Sequence, residues 1–385
     1  MTKKEISELK KLYKKDGGCI TRICGCYVGN EKEKITTFKE AFYSLQEEDT
    51  YKYYEIFKKT LSGTIGRNLI NLEFPMEQEF EGGTQEFLLR LRNSELKDDA
   101  LLDEFYNKVI QYYYYTGNYL ILMIHTAYDV PGRTSDGIDM EDASDEVYSY
   151  LLCSVCPVNL SKPGLSYHPE SNLFQNCNRD WLVDMPEIGF LFPAFNDRST
   201  DIHSTLYYTK NADELHEEFV DSVLGAVPPI PVSSQKEMFQ SLIEETLGDK
   251  REYETIMSIQ ENVQEKIEES KDNPEPLTLS KKDVERIFAE SGVKEEQMQQ
   301  FEAVYEKVVP EATPLVAANV VNARRFEVKT PNITVQVKPE FTHLLETKVI
   351  DGRNCLVIAI EDKVAVNGIP LYEEGGEEPD GEEYL

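Results

Sequence analysis

Tryptophan occurs once in this chain and histidine five times in 385 residues, and cations are outnumbered, 40 lysines and arginines facing 71 aspartates and glutamates. The resulting formal charge of −31 removes the counterion-release energy on which polyanion binding normally draws. Broad attachment to nucleic acid is therefore disfavoured, and only local basic patches remain for it. Long apolar runs are missing too. The longest, Tyr119 to Ile124, falls far short of the roughly 20 residues a bilayer span requires, so no membrane partner is expected. The opening Met1-Thr2-Lys3-Lys4-Glu5 leads into a charged helical pattern rather than an apolar leader, which points to the cytoplasm. Seven cysteines, an odd number in a long chain, do not make a disulfide scaffold, so reduced thiols are expected. No complete catalytic motif is present. Gly63 and Gly66 lack the Gly-Lys-Ser/Thr of a phosphate loop and read as points of close backbone packing, and no cofactor is implied.

What is present is ample core material, 40% hydrophobic and 10% aromatic residues, enough for two or three domains. The pattern predicts an α+β protein with a mixed, mainly antiparallel sheet, flanking helices and a smaller helical and β C-terminal unit. The expected parts are an α+β main domain over 1–231, a charged helical connector over 232–276, a small α+β domain over 277–372 and a disordered acidic tail over 373–385.

The first predicted helix, Lys3 to Lys15, has a narrow apolar stripe of Ile6, Leu9 and Tyr13 ringed by Lys3, Lys4, Lys10, Lys11, Lys14 and Lys15. It reads as a solvated docking helix or as an arm for an anion, a nucleic acid or the chain's own acidic tail. A strand follows over Ile20 to Val28, then a helix over Thr36 to Leu45 and another from a Thr50 cap to Leu61. Further helices are predicted over Gln85 to Arg92 and Asp98 to Tyr115. The strands Tyr119 to Val130 and Val147 to Val158, joined by a polar loop from Pro131 to Glu146, form a long hairpin at the centre of the sheet. Ile188 to Phe195 pairs with Ser204 to Thr209. Asn211 or Asp213 then caps a helix over Glu214 to Leu224, and Ser234 to Lys271 is helical and highly charged. Beyond it come helices over Ser280 to Ser291, with Ser280 and Asp283 as a capping box, and Lys294 to Val308. Short strands near Phe326 to Lys329, Ile333 to Lys338, Cys355 to Ile360 and Val364 to Val366 turn at Asp351-Gly352 and Asn367-Gly368.

Two constellations carry the available chemistry. Asn196 to His203 is the densest polar stretch, and its Asp197, Arg198, Ser199, Asp201 and His203 are of the types that orient a water, an anion or an acyl substrate. Asp197, Arg198, Asp201 and His203 are the catalytic candidates; Asn196, Arg198, His203, Lys10 and Lys14 are the binding candidates. The same residue types also stabilise tight turns, since their side chains satisfy turn amides. Cys153, Cys156, His168 and Cys177 form the second set, four zinc-type ligands in name. Residues three apart on a strand face opposite ways, so Cys153 and Cys156 can share an ion only if the strand breaks between them, and buried small hydrophobes are the simpler account.

The stretches ITRICGCYV at Ile20 to Val28, LSGTIGRNLINLEF at Leu61 to Phe74, CSVCPVNLSKPGLSYH at Cys153 to His168 and EIGFLFPAFNDRSTDIHSTLYYT at Glu187 to Thr209 resemble the bacterial domain of unknown function 4317 family. The resemblance spans nearly the whole chain and implies no assigned activity. Phe326 to Thr330, Ile333 to Val337 and Val366 to Ile369 are similar in rhythm to the end of thirty-seven-kilodalton nucleoid-associated proteins. That likeness implies contact with nucleic-acid machinery through Arg324, Arg325, Lys329 and Lys338. The expected function is a binding or adaptor role toward a protein partner. Nucleic-acid association is the alternative, and a hydrolase built on the Asn196–His203 loop is the third reading.

Overall fold

The computed structural model describes residues 1–14, 20–133, 139–249, 251–310, 314–322, 325–360, 364–366 and 369–370. In chain order the first half contains α1 (Lys3–Lys10), β1 (Ile20–Val28), β2 (Lys34–Ala41), α2 (Glu47–Thr60), β3 (Leu69–Glu73), α3 (Thr84–Asn93), α4 (Asp99–Tyr112), β4 (Asn118–Arg133) and β5 (Asp139–Leu160). There follow β6 (Leu165–His168), β7 (Leu173–Asn176), β8 (Trp181–Val183), β9 (Ile188–Phe192), β10 (Ala194–Asn196), β11 (Ser199–Asp201), β12 (Ser204–Thr209) and the short α5 (Glu217–Phe219), which runs on into a wider turn over Val220–Leu224.

Among the described residues the main sheet has eight strands in the order β2-β1-β4-β5-β9-β12-β3, with β8 added alongside β5, and every pairing between neighbours is antiparallel. The long hairpin β4–β5 lies at its centre, as the sequence predicts. Successive side chains alternate between two separate cores. Ile121, Met123, Cys153 and Val155 enter the layer under α3, α4 and Phe219–Leu224, while Leu122, Ile124, Leu152 and Cys156 enter the layer under α1 and α2. A sheet covered on both faces explains why β4 and β5 read as almost unbroken apolar runs. Gly189 on β9 lets α2 approach: a Cβ there would overlap the Cys153 carbonyl and lie 2.6 Å from Thr60 Cγ2. Beside it, Thr60 and Ser154 share a buried hydrogen bond of 2.7 Å.

The second half holds α6 (Val232–Leu247), α7 (Tyr253–Glu269), β13 (Thr278–Leu279), α8 (Lys281–Glu290), α9 (Glu295–Met298), α10 (Phe301–Val308), β14 (Leu315–Val316) and α11 (Ala317–Val320) around a third core centred on Leu242, Val263, Phe288 and Leu315. Among the described residues three hairpins follow: β15 (Phe326–Lys329) with β16 (Thr334–Val337), β17 (Leu345–Ile350) with β18 (Arg353–Ile358), and β19 (Ala365–Val366) with β20 (Ile369–Pro370).

Several expectations are corrected. Thr36 to Leu45 is not a helix but strand β2 followed by a single tight turn at Phe42–Ser44. Its Phe38 pairs with Gly25 of β1 and fills the space where that glycine has no side chain, a tertiary contact that overrides the local helical reading. The strands β4 and β5 extend into the segment expected as a polar loop, pairing as far as Arg133 with Asp139, while residues 134–138 of that segment lie outside the described residues. Helix α2 begins at Glu47, and Thr50 donates back to the Gln46 carbonyl at 3.0 Å instead of capping. Neither Asn211 nor Asp213 caps α5. Asp213 instead accepts from Ser233 N at 2.7 Å and so caps α6, some twenty residues away. The charged stretch Ser234 to Lys271 is two helices, and Lys294 to Val308 is also two. The Ser280–Asp283 capping box is present. The predicted tail over 373–385 and the Asn367-Gly368 turn lie outside the described residues.

Candidate functional site

The polar stretch between β9 and β12 folds as the hairpin β10–β11, with Asn196 opposite Ser199. Its two-residue turn is Asp197-Arg198, both at positive φ (51° and 57°). That backbone is the one a two-residue hairpin needs, and its usual occupant at the second position is glycine. Several of the polar side chains around it are engaged by the fold. Asn196 Nδ2 donates to Asp201 Oδ2 at 2.6 Å, and His203 N donates to Asp201 Oδ1 at 3.0 Å. Burial raises the Asp201 carboxyl, but the hydrogen bonds from Ser204, Asn196 and the His203 amide outweigh it and hold the group below its usual range. Glu146 of β5 accepts from both the amide and the hydroxyl of Thr200. The imidazole of His203 is exposed and turns to Glu79, Nδ1 to Oε1 2.7 Å, a hydrogen bond that raises its pKa above the ordinary value.

The structure brings one part of this loop together with the lysine-rich helix. Arg198 reaches Glu8 of α1, with Nη2 3.0 Å from Oε1 and Nε 3.3 Å from both oxygens, and Tyr128 of β4 donates to the same Oε1 at 2.8 Å. The Arg198 amide donates to Glu5 at 3.3 Å, while Glu5 also closes the capping box with Thr2. Ile6, Leu9 and Tyr13 are buried beneath, so α1 is clamped to the sheet by its apolar stripe and by two carboxylates. Lys3, Lys4, Lys11 and Lys14 remain exposed, and among the described residues none of them forms an ion pair. They line a groove of about 1100 Å³ together with Glu5, Glu8, Asp197, Arg198 and the segment Lys271–Pro274. Lys10 turns the other way, to a hollow of about 200 Å³, where its Nζ donates to Ser62 Oγ at 2.7 Å. Burial first, then Lys58 and Lys59, lower its pKa.

The sequence candidates therefore divide. Asp197, Arg198 and Lys14 meet at the large groove; Lys10 lines the small hollow; Asn196, Asp201 and His203 line neither. Arg198 is committed to Glu8, and His203 points to Glu79 rather than toward Asp197 or Arg198. The partners Glu5, Glu8, Glu79, Tyr128 and Glu146 are all distant in sequence from the loop, and in a chain with 71 acids no local signal marks them.

The cysteine set does not assemble. Cys153 and Cys156 enter opposite cores, and burial pushes both thiols up, away from the thiolate that binds metal. His168 pairs with Ser166 at 3.0 Å and Cys177 donates to the Asn178 carbonyl. Among the described residues no group of three or more histidine, cysteine or acidic side chains is placed to hold a metal ion. Of the C-terminal cations, Arg324 lies outside the described residues, while Arg325 lines a 450 Å³ hollow among Glu261, Glu265, Glu268 and Glu340. No described helix is long and apolar enough to cross a membrane.

A family model, described as a domain of unknown function (DUF4317), matches residues 1–369, and the chain belongs to that family. No curated protein matches the chain, and no solved structure does. The likeness of the C-terminal strands to nucleoid-associated proteins has no counterpart among these matches.

Proposed function

We propose that this member of the DUF4317 family is a binding or adaptor protein whose α1 groove receives an acidic segment of a protein partner. The observation that carries the reading is the set of four exposed lysines, Lys3, Lys4, Lys11 and Lys14, which form no ion pair among the described residues and stand on one wall of a groove in a chain of charge −31. In a surface so acidic, exposed cations that pair with no described carboxylate are available to an outside anion. The groove also presents Glu5, Glu8, Asp197 and Asp272. Alternating signs suit a peptide of mixed side chains better than a nucleic acid, which offers one phosphate at every step. The net charge elsewhere acts weakly at this distance, since salt screens it beyond about 8 to 10 Å.

The test is fluorescence anisotropy with a labelled oligoglutamate peptide and, in parallel, a labelled single-stranded oligonucleotide. Peptide binding at low salt should be saturable and weaken as salt rises. With each exposed pair contributing roughly 0.2–1 kcal/mol, reversing Lys4, Lys11 and Lys14 to glutamate should weaken it about tenfold or more. Absence of binding, or binding indifferent to the triple reversal, refutes the reading. Tighter binding of the oligonucleotide would replace the protein partner with a nucleic acid.

A further inference from the structure

The small hollow beside α1 gathers positive charge over an apolar floor. Lys3, Ser7 and Lys10, at i, i+4 and i+7 spacing on one face of α1, meet Ser62 just beyond the C-terminus of α2, and Ile6, Leu61 and Leu69 beneath them are buried. Among the described residues no acid lines it. In a chain of 71 acids and 40 lysines and arginines that is against composition, and no described carboxylate pairs with Lys3, Lys10, Lys58 or Lys59. The end of α2 accounts for Lys58 and Lys59, since cations suit the C-terminus of a helix. It does not account for Lys10. The carbonyls there already have donors: Leu61 N to that of Phe57 at 3.3 Å, Ser62 N to that of Lys59 at 2.9 Å, and the Ser62 hydroxyl to that of Lys58. Lys10 Nζ donates instead to Ser62 Oγ, so α1 brings into a half-buried place a charge that only other cations surround. Desolvating a charge in this way is unfavourable unless an opposite charge offsets it.

We propose that this hollow is an anion site for the phosphate group of a small molecule, bound by Lys10 and Lys3 with the hydroxyl of Ser7. Two ammonium groups match the charge of a phosphate dianion, and charge-assisted hydrogen bonds to its oxygens are among the strong ones. Ser62 is a positioning residue. Its hydroxyl proton goes to the Lys58 carbonyl, so its oxygen is left to accept from Lys10 and hold the ammonium at the hollow. The apolar floor strengthens each charge contact above its value in open water. At about 200 Å³ the hollow is smaller than the roughly 300–1,000 Å³ of pockets for drug-sized ligands, so the ligand is compact. The chain's acidity does not bar it, because salt screens distant charge beyond about 8 to 10 Å. This site is separate from the peptide groove in its chemistry, presenting one sign where the groove alternates. The two share Lys3 and Ser7; Lys10 and Ser62 line the hollow alone.

Isothermal titration of the full chain with inorganic phosphate and, in a parallel arm, with glycerol phosphate distinguishes a free ion from a phosphate ester. At least one should bind saturably at a single site, and the tighter of the two names the source. Lys10→Gln should weaken that binding about tenfold or more, since it removes a charged hydrogen bond, while Lys10→Arg, which keeps the charge, should retain most of the affinity. The bound anion should raise the melting temperature of the parent and leave that of Lys10→Gln where it was. Without the anion the two should melt alike, because Ser62 stays tied to the Lys58 carbonyl. Failure of both anions to bind, or equal affinity in the parent and Lys10→Gln, overturns the proposal. So does binding that survives Lys10→Gln but is lost on reversing Lys4, Lys11 and Lys14, which would assign the anion to the groove. Failure of oligoglutamate to bind would leave these outcomes unchanged.

Discussion

Arg198 occupies a turn position whose backbone suits glycine, and the structure indicates what holds it there. Its φ of 57° costs a residue with a Cβ about 1–2 kcal/mol. Against that stands the ion pair with Glu8, whose two side chains are 15% and 20% exposed. At that depth the pair lies between an exposed bridge of under 1 kcal/mol and a buried one, where loss of one partner costs about 3–5 kcal/mol, so its removal should cost about 1–3 kcal/mol. Arg198→Ala keeps the unfavourable backbone and loses the pair; Arg198→Gly loses the pair but relieves the backbone. The glycine variant should therefore be the more stable of the two by about 1 kcal/mol, although it removes more atoms. In a Glu8→Gln background, where the pair is already weakened, Arg198→Gly should be neutral or stabilising. Urea unfolding of the four variants, read as midpoint shifts at unchanged slope, measures both differences. Equal midpoints for Arg198→Ala and Arg198→Gly would refute the account of this turn as strained and retained for its ion pair.

Gly189→Ala should destabilise by more than about 3 kcal/mol, because the new methyl meets the Cys153 carbonyl and Thr60 Cγ2 between sheet and helix; a near-native melting temperature would contradict the close packing of α2. His203 should titrate above its ordinary value of about 6.5 in an NMR titration and return to it in Glu79→Gln. Since the folded pKa is the raised one, this pair supports the fold fully below the unfolded value and ceases to do so as pH rises through the folded value. Alkylation at neutral pH should modify Cys177 and Cys355 while sparing Cys24, whose thiol burial pushes up to about 12, Cys26, pushed up to about 11, and Cys153 and Cys156. Labelling of native Cys153 would place it outside the core.

The local signals that survived into the structure are those in which a residue acts on its near neighbours. The Ser280–Asp283 capping box, the apolar stripe of Ile6, Leu9 and Tyr13, and the twin runs that become β4 and β5 are of this kind. The segment Thr36 to Leu45 misled because its fate depends on Gly25, a residue it meets only across a strand pair. Asp213 misled likewise, its carboxylate being spent on a helix that starts some twenty residues later. The Asn196–His203 loop was legible as a polar turn, and the lysines of α1 as a cationic face. That Arg198 belongs with Glu8, and His203 with Glu79, was not.

Sequence by itself determined the α+β class, the central antiparallel hairpin, the acidity and the incompatibility of Cys153 and Cys156 with a shared face, because pleat, helical period and net charge are properties of short stretches or of simple sums. Tertiary structure alone decided that α1 and the β10–β11 turn share one groove, that Cys153 and Cys156 lie in two different cores, and that Trp181 of β8 stands exposed. Those outcomes depend on which distant carboxylate or apolar face a side chain meets, and a chain with 71 acids leaves that choice to three-dimensional packing.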